Sequence, residues 1–166
     1  MTMKSLSVRG IRIDRMAGMP VVTLREVESP RREMEIFIGA PEASAIKTSL
    51  EGESTPRPMT HDLFVLALER LAVDIVRVVI THVVSGTFFA DLVLSSPTGE
   101  ETTVSCRPSD GIALALRAHC PLYALEDLLD AEGKEVPEEE VETDAEEILD
   151  EFKSFIENIS PEDFES

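Results

Sequence analysis

Asp74-Ile75-Val76-Arg77-Val78-Val79-Ile80-Thr81-His82-Val83-Val84 is followed, after Ser85-Gly86, by Thr87-Phe88-Phe89-Ala90-Asp91-Leu92-Val93-Leu94. The first run is rich in β-branched residues, which fit the pleated, half-buried surface of a strand. Gly86 opens its partner. Ser95 to Gly99, with Pro97 and Gly99, forms a turn, and Glu100 to Cys106 makes a third short strand. Three strands joined by short turns predict an antiparallel meander.

Downstream, Pro108 sits where a helix tolerates proline, at its first turn, and the helix is expected to run to about Ala118. Gly111, Ala113 and Ala115 would allow it to approach another element closely. Leu122 to Ala124 reads as a brief strand and Glu126 to Leu129 as a helical turn.

Upstream, Thr60 reads as the cap of a helix with no capping-box partner, since the residue three later is Leu63. Leu63, Val65, Leu66, Leu68 and Leu71 make this helix broadly apolar, which predicts packing on more than one side. Ser54 to Met59 is a proline-containing connection. Before it, Gly39 ends a strand and Pro41 opens a helix whose Ala43, Ile46 and Leu50 recur at helical spacing. Three strands precede that helix: Lys4 to Asp14, Pro20 to Val27 and Arg31 to Ile38. Gly10 predicts a bulge or bend in the first.

The expected fold is therefore α+β: a compact single domain with a mixed, largely antiparallel sheet packed against helices, plus a C-terminal acidic amphipathic helix. The expected division is a domain over 1–130, an acidic linker over 131–142, and an amphipathic helix and tail over 143–166. In that last segment Ile148, Leu149, Phe152, Phe155, Ile156 and Ile159 follow helical spacing.

Composition narrows the function. The chain has 166 residues, 43% hydrophobic and 5% aromatic, so its core must be built from aliphatic side chains. The net charge is −18. Residues 1–129 carry 17 acidic and 13 basic side chains, whereas residues 130–166 carry 16 and 2. Such a field argues against holding nucleic acid by bulk electrostatics, because phosphate binding rests on Lys and Arg. Met1 to Arg12 lacks the apolar stretch of a signal peptide, and no run approaches a membrane span, which predicts a cytoplasmic protein with no membrane association. Cys106 and Cys120 form no Cys-x-x-Cys pair and read as small buried thiols in a reducing compartment.

Two polar stretches could carry chemistry. Arg57-Pro58-Met59-Thr60-His61-Asp62 gathers a cation, an imidazole and a carboxylate before a helix. His61 could transfer a proton or bind metal. The structural alternative is that Asp62 favours the helix N-terminus while His61 anchors a loop. In Arg107-Pro108-Ser109-Asp110-Gly111, Arg107 could clamp a phosphate or carboxylate, or simply pair with Asp110 or with a carboxylate from another element. Glu42 sits at a third helix start. Carboxylates such as these can hold Mg²⁺ or Mn²⁺, but spacing cannot show that Glu42, Asp62 and Asp110 converge. His82 reads as a strand surface residue and His119 as a group at a helix end. There is no His-Glu-x-x-His, phosphate loop or serine elbow.

Four stretches together resemble the bifunctional nuclease domain family. They are Ile36-Phe37-Ile38-Gly39 with Glu42-Ala43 and Ala45-Ile46; Arg57 to Leu63; Gly86-Thr87-Phe88-Phe89-Ala90; and Arg107 to Ala115. The resemblance runs from Ser5 to about Leu129. It implies nuclease activity on DNA and RNA, with Mg²⁺ or Mn²⁺ as cofactor, and self-association as a homodimer. It also implies a polar site of Glu42, Arg57, His61, Asp62, Arg107 and Asp110. In the nuclease reading, Glu42, Asp62 and Asp110 hold metal or orient water, His61 moves a proton, and Arg57 and Arg107 hold the phosphodiester. The sequence departs from the family at Ser105 and Cys106, where an aspartate and a small residue are usual, and at Gly111, where alanine is usual. A competing reading is a non-catalytic regulatory or protein-binding domain. Its polar stretches would be structural and its acidic helix would dock a protein partner. A third is a small-molecule domain that holds an anion at its helix N-termini.

Overall fold

The computed structural model describes residues 1–137 together with 149, 150 and 153. The chain divides into two units, Met1–Lys134 and Glu135–Ser166. In the second, Leu149, Asp150 and Lys153 are helical; the rest of the expected acidic helix, and with it the docking of a protein partner, lies outside the described residues.

The first unit is a seven-stranded mixed sheet with four helices. In chain order these are β1 (Met3–Asp14), β2 (Met19–Glu26), β3 (Glu33–Phe37), α1 (Ala40–Leu50), α2 (Thr60–Arg70), β4 (Asp74–Val84), β5 (Thr87–Ser95), β6 (Glu101–Cys106), α3 (Pro108–Ala118), β7 (Leu122–Leu125) and α4 (Glu126–Glu132). The spatial order is β3-β2-β1-β7-β4-β5-β6. Two antiparallel meanders, β1–β3 and β4–β6, are thus sewn together by β7. That strand runs antiparallel to β1 and parallel to β4.

Local chemistry explains the meanders. Val84 pairs with Thr87, so Ser85-Gly86 is a two-residue loop, and both residues take left-handed backbone (φ 50° and 78°). This is the twist that a tight hairpin requires. The expected irregularity at Gly10 is a bulge between Val8 and Gly10 in the β1–β2 register.

Alternation sorts the strands into two faces. Val22, Leu24, Met34, Ile36, Val78, Ile80, Ala90, Leu92, Leu122 and Ala124 form one buried cluster with Ala43 and Ile46 of α1, Ile112–Ala115 of α3, and Leu128 and Leu129 of α4. Helices therefore cover one face. The other carries cross-strand ion pairs, Arg12–Glu35, Arg25–Glu33 and Arg77–Glu101. Gly111 explains how tightly α3 seats: a Cβ there would lie 2.7 Å from Val78 Cγ1 and 3.4 Å from Cys106 Sγ.

Two expectations need correction. The α2 helix, expected to be packed on more than one side, buries none of its residues. It leans on α3 and hardly touches the sheet, so only the stripe of His61, Asp62, Val65 and Leu68 is half covered, while Leu63 is 61% exposed. Apolar composition alone does not say how many neighbours a helix has. Second, the helix begins one residue earlier than expected: Met59 is the cap and Thr60 the first helical residue. Asp62 reaches back to the Met59 N–H at 2.9 Å, so the carboxylate of a capping box is present.

Candidate functional site

Three helix N-termini meet above the β5–β6 end of the sheet. Each delivers a side chain that sequence spacing alone could not bring together. Arg107 is the residue before α3, and its guanidinium is the hub. Its Nε donates to Asp110 Oδ2 at 2.7 Å and its Nη2 to Asp110 Oδ1 at 3.1 Å. The Nη1 group donates to Glu42 Oε1, from the first turn of α1, at 3.0 Å. From the first turn of α2, His61 Nε2 lies 2.9 Å from Asp110 Oδ1.

The protonation states follow from these contacts. Burial opposes ionisation of Asp110, but the Arg107 hydrogen bonds and the His61 contact outweigh it and hold the carboxyl below its ordinary range. An ionised carboxylate only accepts hydrogen bonds, so His61 Nε2 must carry the proton. In the neutral ring this leaves the lone pair on Nδ1, which has no hydrogen-bond partner among the described residues. Arg107 has five N–H donors and spends three of them here, and its side chain is 64% exposed. Two donors remain for an anion.

The other expected residues lie apart from this cluster. Asp62 turns away to Arg117, whose Nε donates to its Oδ1 at 2.7 Å. That bond, with the Met59 N–H, holds the Asp62 carboxyl below its ordinary range. Arg57 is exposed, and among the described residues its side chain makes no ion pair with the cluster. Arg117 was missed by sequence reasoning. Its bond to Asp62 ties the start of α2 to α3, while a second one, to the Ala113 carbonyl of its own helix at 3.0 Å, holds the guanidinium in place. A basic residue in a last helical turn gives little hint of such a role.

Glu42, Asp62 and Asp110 do not present a metal-binding set. Asp62 faces Arg117, while Glu42 and Asp110 are both turned to Arg107. Among the described residues no three His, Cys, Asp or Glu side chains are grouped to hold a metal ion. The donors present do not fit Mg²⁺ or Mn²⁺, which need several free oxygens.

The cluster forms a wall between two cavities. On one side a cleft of about 410 Å³ is bounded by α1, α2 and α3 and includes Glu42, Thr48, Thr60 and Arg117. On the other, a pocket of about 640 Å³ is lined by Phe64, Phe88, Leu92, Val104 and Leu114, with Thr60, Ser105 and Arg107 at its polar parts. Cys106 also lines it. Burial, with Asp110 and Asp91 nearby, pushes its thiol up to about 11, so it is not a ready nucleophile.

Residues 22–137 match the model of the bifunctional nuclease domain. The chain belongs to this family. The matched span contains every member of the cluster and both cavities. Two uncharacterized proteins of Mycobacterium tuberculosis, from strains CDC 1551 and H37Rv, are each 38% identical to it over 168 residues, covering 99% of this chain and 99% of theirs. The chain is thus similar to these relatives along its whole length, including the acidic segment beyond the family domain. No helix among the described residues is long and apolar enough to cross a membrane.

Proposed function

We propose that this bifunctional nuclease domain hydrolyses phosphodiester bonds of nucleic acid, DNA or RNA, with His61 as the proton-transfer residue. One observation carries the reading: Asp110 fixes the His61 ring through Nε2, within the wall of an open cavity. A carboxylate that orients an imidazole and stabilises its protonated form is a recurring arrangement for general base catalysis. His61 Nδ1 accepts the proton of the attacking water, or of the ribose hydroxyl in RNA. The oxygen attacks phosphorus, the bond from phosphorus to the leaving oxygen breaks, and the protonated His61 returns its proton to that oxygen, directly or through a water. Arg107 steadies the phosphoryl charge with its two spare donors. Asp110 holds the imidazole through both steps. No step runs through a divalent ion, because the carboxylates that would hold it are paired with arginines.

A second reading has an observation behind it as well. Both carboxylates of the cluster, Glu42 and Asp110, are already paired with Arg107, and Asp62 with Arg117, which suits a non-catalytic binding domain. One experiment separates the two. Purified protein and His61→Ala are incubated with labelled single-stranded and duplex DNA and RNA, in Mg²⁺, Mn²⁺ or EDTA. The nuclease reading expects cleavage that persists in EDTA and falls by about 10²- to 10⁴-fold in folded His61→Ala. Equal cleavage by both proteins points to a contaminating nuclease or to other catalytic residues and removes His61 from the chemistry, whereas no cleavage by either favours the binding domain.

A further inference from the structure

The 640 Å³ pocket is a consequence of how α2 packs. Because that helix rests on α3 rather than on the sheet, the helix-side face of β5 and β6 is left open. Phe88, Leu92 and Val104 form its floor, Leu114 of α3 closes one side, and Phe64 of α2 stands over it. Phe64 is 43% and Val104 45% exposed, a cost for apolar side chains that an occupant would remove.

We infer that this pocket is a nucleobase subsite, so that the substrate is single-stranded or unpaired nucleic acid. The inference rests on reading the adjoining His61–Asp110–Arg107 cluster as the phosphodiester site. Three features converge on it. The pocket is wide enough for a base with part of its sugar. Its walls are apolar and aromatic while Thr60, His61, Arg107 and Asp110 supply its polar lining, which matches a flat ring with hydrogen-bonding edges. Arg107 and His61 line the same pocket, so a base inside it places its own phosphate beside them. A base within a duplex can enter only by leaving the stack, at the cost of its pairing. The overall charge of −18 supplies no general attraction for phosphates, so stacking rather than counterion release must provide the affinity.

The test is fluorescence anisotropy in EDTA with a fluorescein-labelled single strand of about 12 nucleotides and a duplex of the same sequence. Wild type, Phe64→Ala, Val104→Trp and His61→Ala are compared, with cleavage followed in parallel. The expected result is binding to the single strand about tenfold tighter than to duplex, with a shallow salt dependence. Phe64→Ala and Val104→Trp weaken it about tenfold while retaining the wild-type circular dichroism, and His61→Ala serves only as the control for cleavage. Such binding without any cleavage would sustain the subsite and defeat the nuclease reading. Cleavage with equal binding of single strand and duplex, unchanged in both pocket variants, would overturn the subsite and leave the nuclease standing. A loss of dimer mass in Phe64→Ala with unaltered binding would also overturn it, assigning the pocket to contact with a second copy. No binding to either probe overturns it outright.

Discussion

Arg107 shows how much one side chain decides at this site. It spans Glu42 and Asp110, joining residues 65 and 3 positions away, and thereby draws the starts of α1 and α3 together. The sequence placed Arg107 and Asp110 within one helical turn of each other, so their pairing was legible. The contact with Glu42, and the choice of His61 rather than Asp62 as the partner of Asp110, were not. Neighbouring helix residues diverge by about 100°, and which one faces the site depends on how α2 is rotated against α3. Arg117 sets that rotation by claiming Asp62. Cys106 makes a testable contrast. With its thiol pushed up to about 11, largely by burial, iodoacetamide should modify it slowly at pH 8 and faster as pH approaches 11 in the folded protein. Rapid alkylation at pH 8, read by mass spectrometry, would contradict this environment.

Among the elements, α3 is the one on which the others depend. It packs against α1, α2, β4 and β5, and its N-terminus carries half of the cluster. Its seat is Gly111, where a glycine looks like a weakness in a helix. Alanine would gain up to about 1 kcal/mol in helix propensity. The added methyl would press on Val78, 2.7 Å away, at a cost of about 1–3 kcal/mol. The steric term wins, so Gly111→Ala should lower the urea midpoint; a rise would show that α3 has room to move. The small residues of α3 were readable as a close-approach surface. The fate of α2 was not, because the same leucines that would pack into a core also make an exposed flank. Most strands were readable from alternation and turn residues. The parallel seam between β4 and β7 was not, since such a pairing joins segments far apart in the chain.

At the scale of the whole molecule, the two ends of the described fold are tied by a partly buried ionic cluster. Arg32, leaving the β2–β3 turn, pairs with Glu26 at 3.0 Å and with Asp130 of α4. Lys134 continues the tie through backbone bonds with Glu33. Burial opposes ionisation of Glu26, but its bonds to Arg32 outweigh this and lower its pKa. The sign is fixed: a carboxyl lowered in the folded state adds stability above its unfolded value of about 4.3, and that stability is lost as pH falls through the folded value. Asp62 and Asp110 act in the same sense. Urea midpoints should therefore drop as pH falls below about 4. Glu26→Gln should cost about 1–3 kcal/mol at pH 7, because Arg32 keeps Asp130 but loses its buried ionic partner, and should flatten the acid limb. An unchanged acid limb in that variant would remove Glu26 from the explanation. The charge asymmetry along the chain was plain in the sequence, whereas this cluster was hidden because its members are 6 and 98 positions from Arg32.

The most direct test of the proposed chemistry is a double-mutant cycle on cleavage rate with His61→Ala, Asp110→Asn and the pair. If Asp110 acts by orienting His61, the double variant should be no slower than His61→Ala alone, because the two residues work as a unit. If the two losses multiply instead, or if Asp110→Asn cleaves as fast as wild type, the His61–Asp110 pair is not the proton-transfer dyad of this domain.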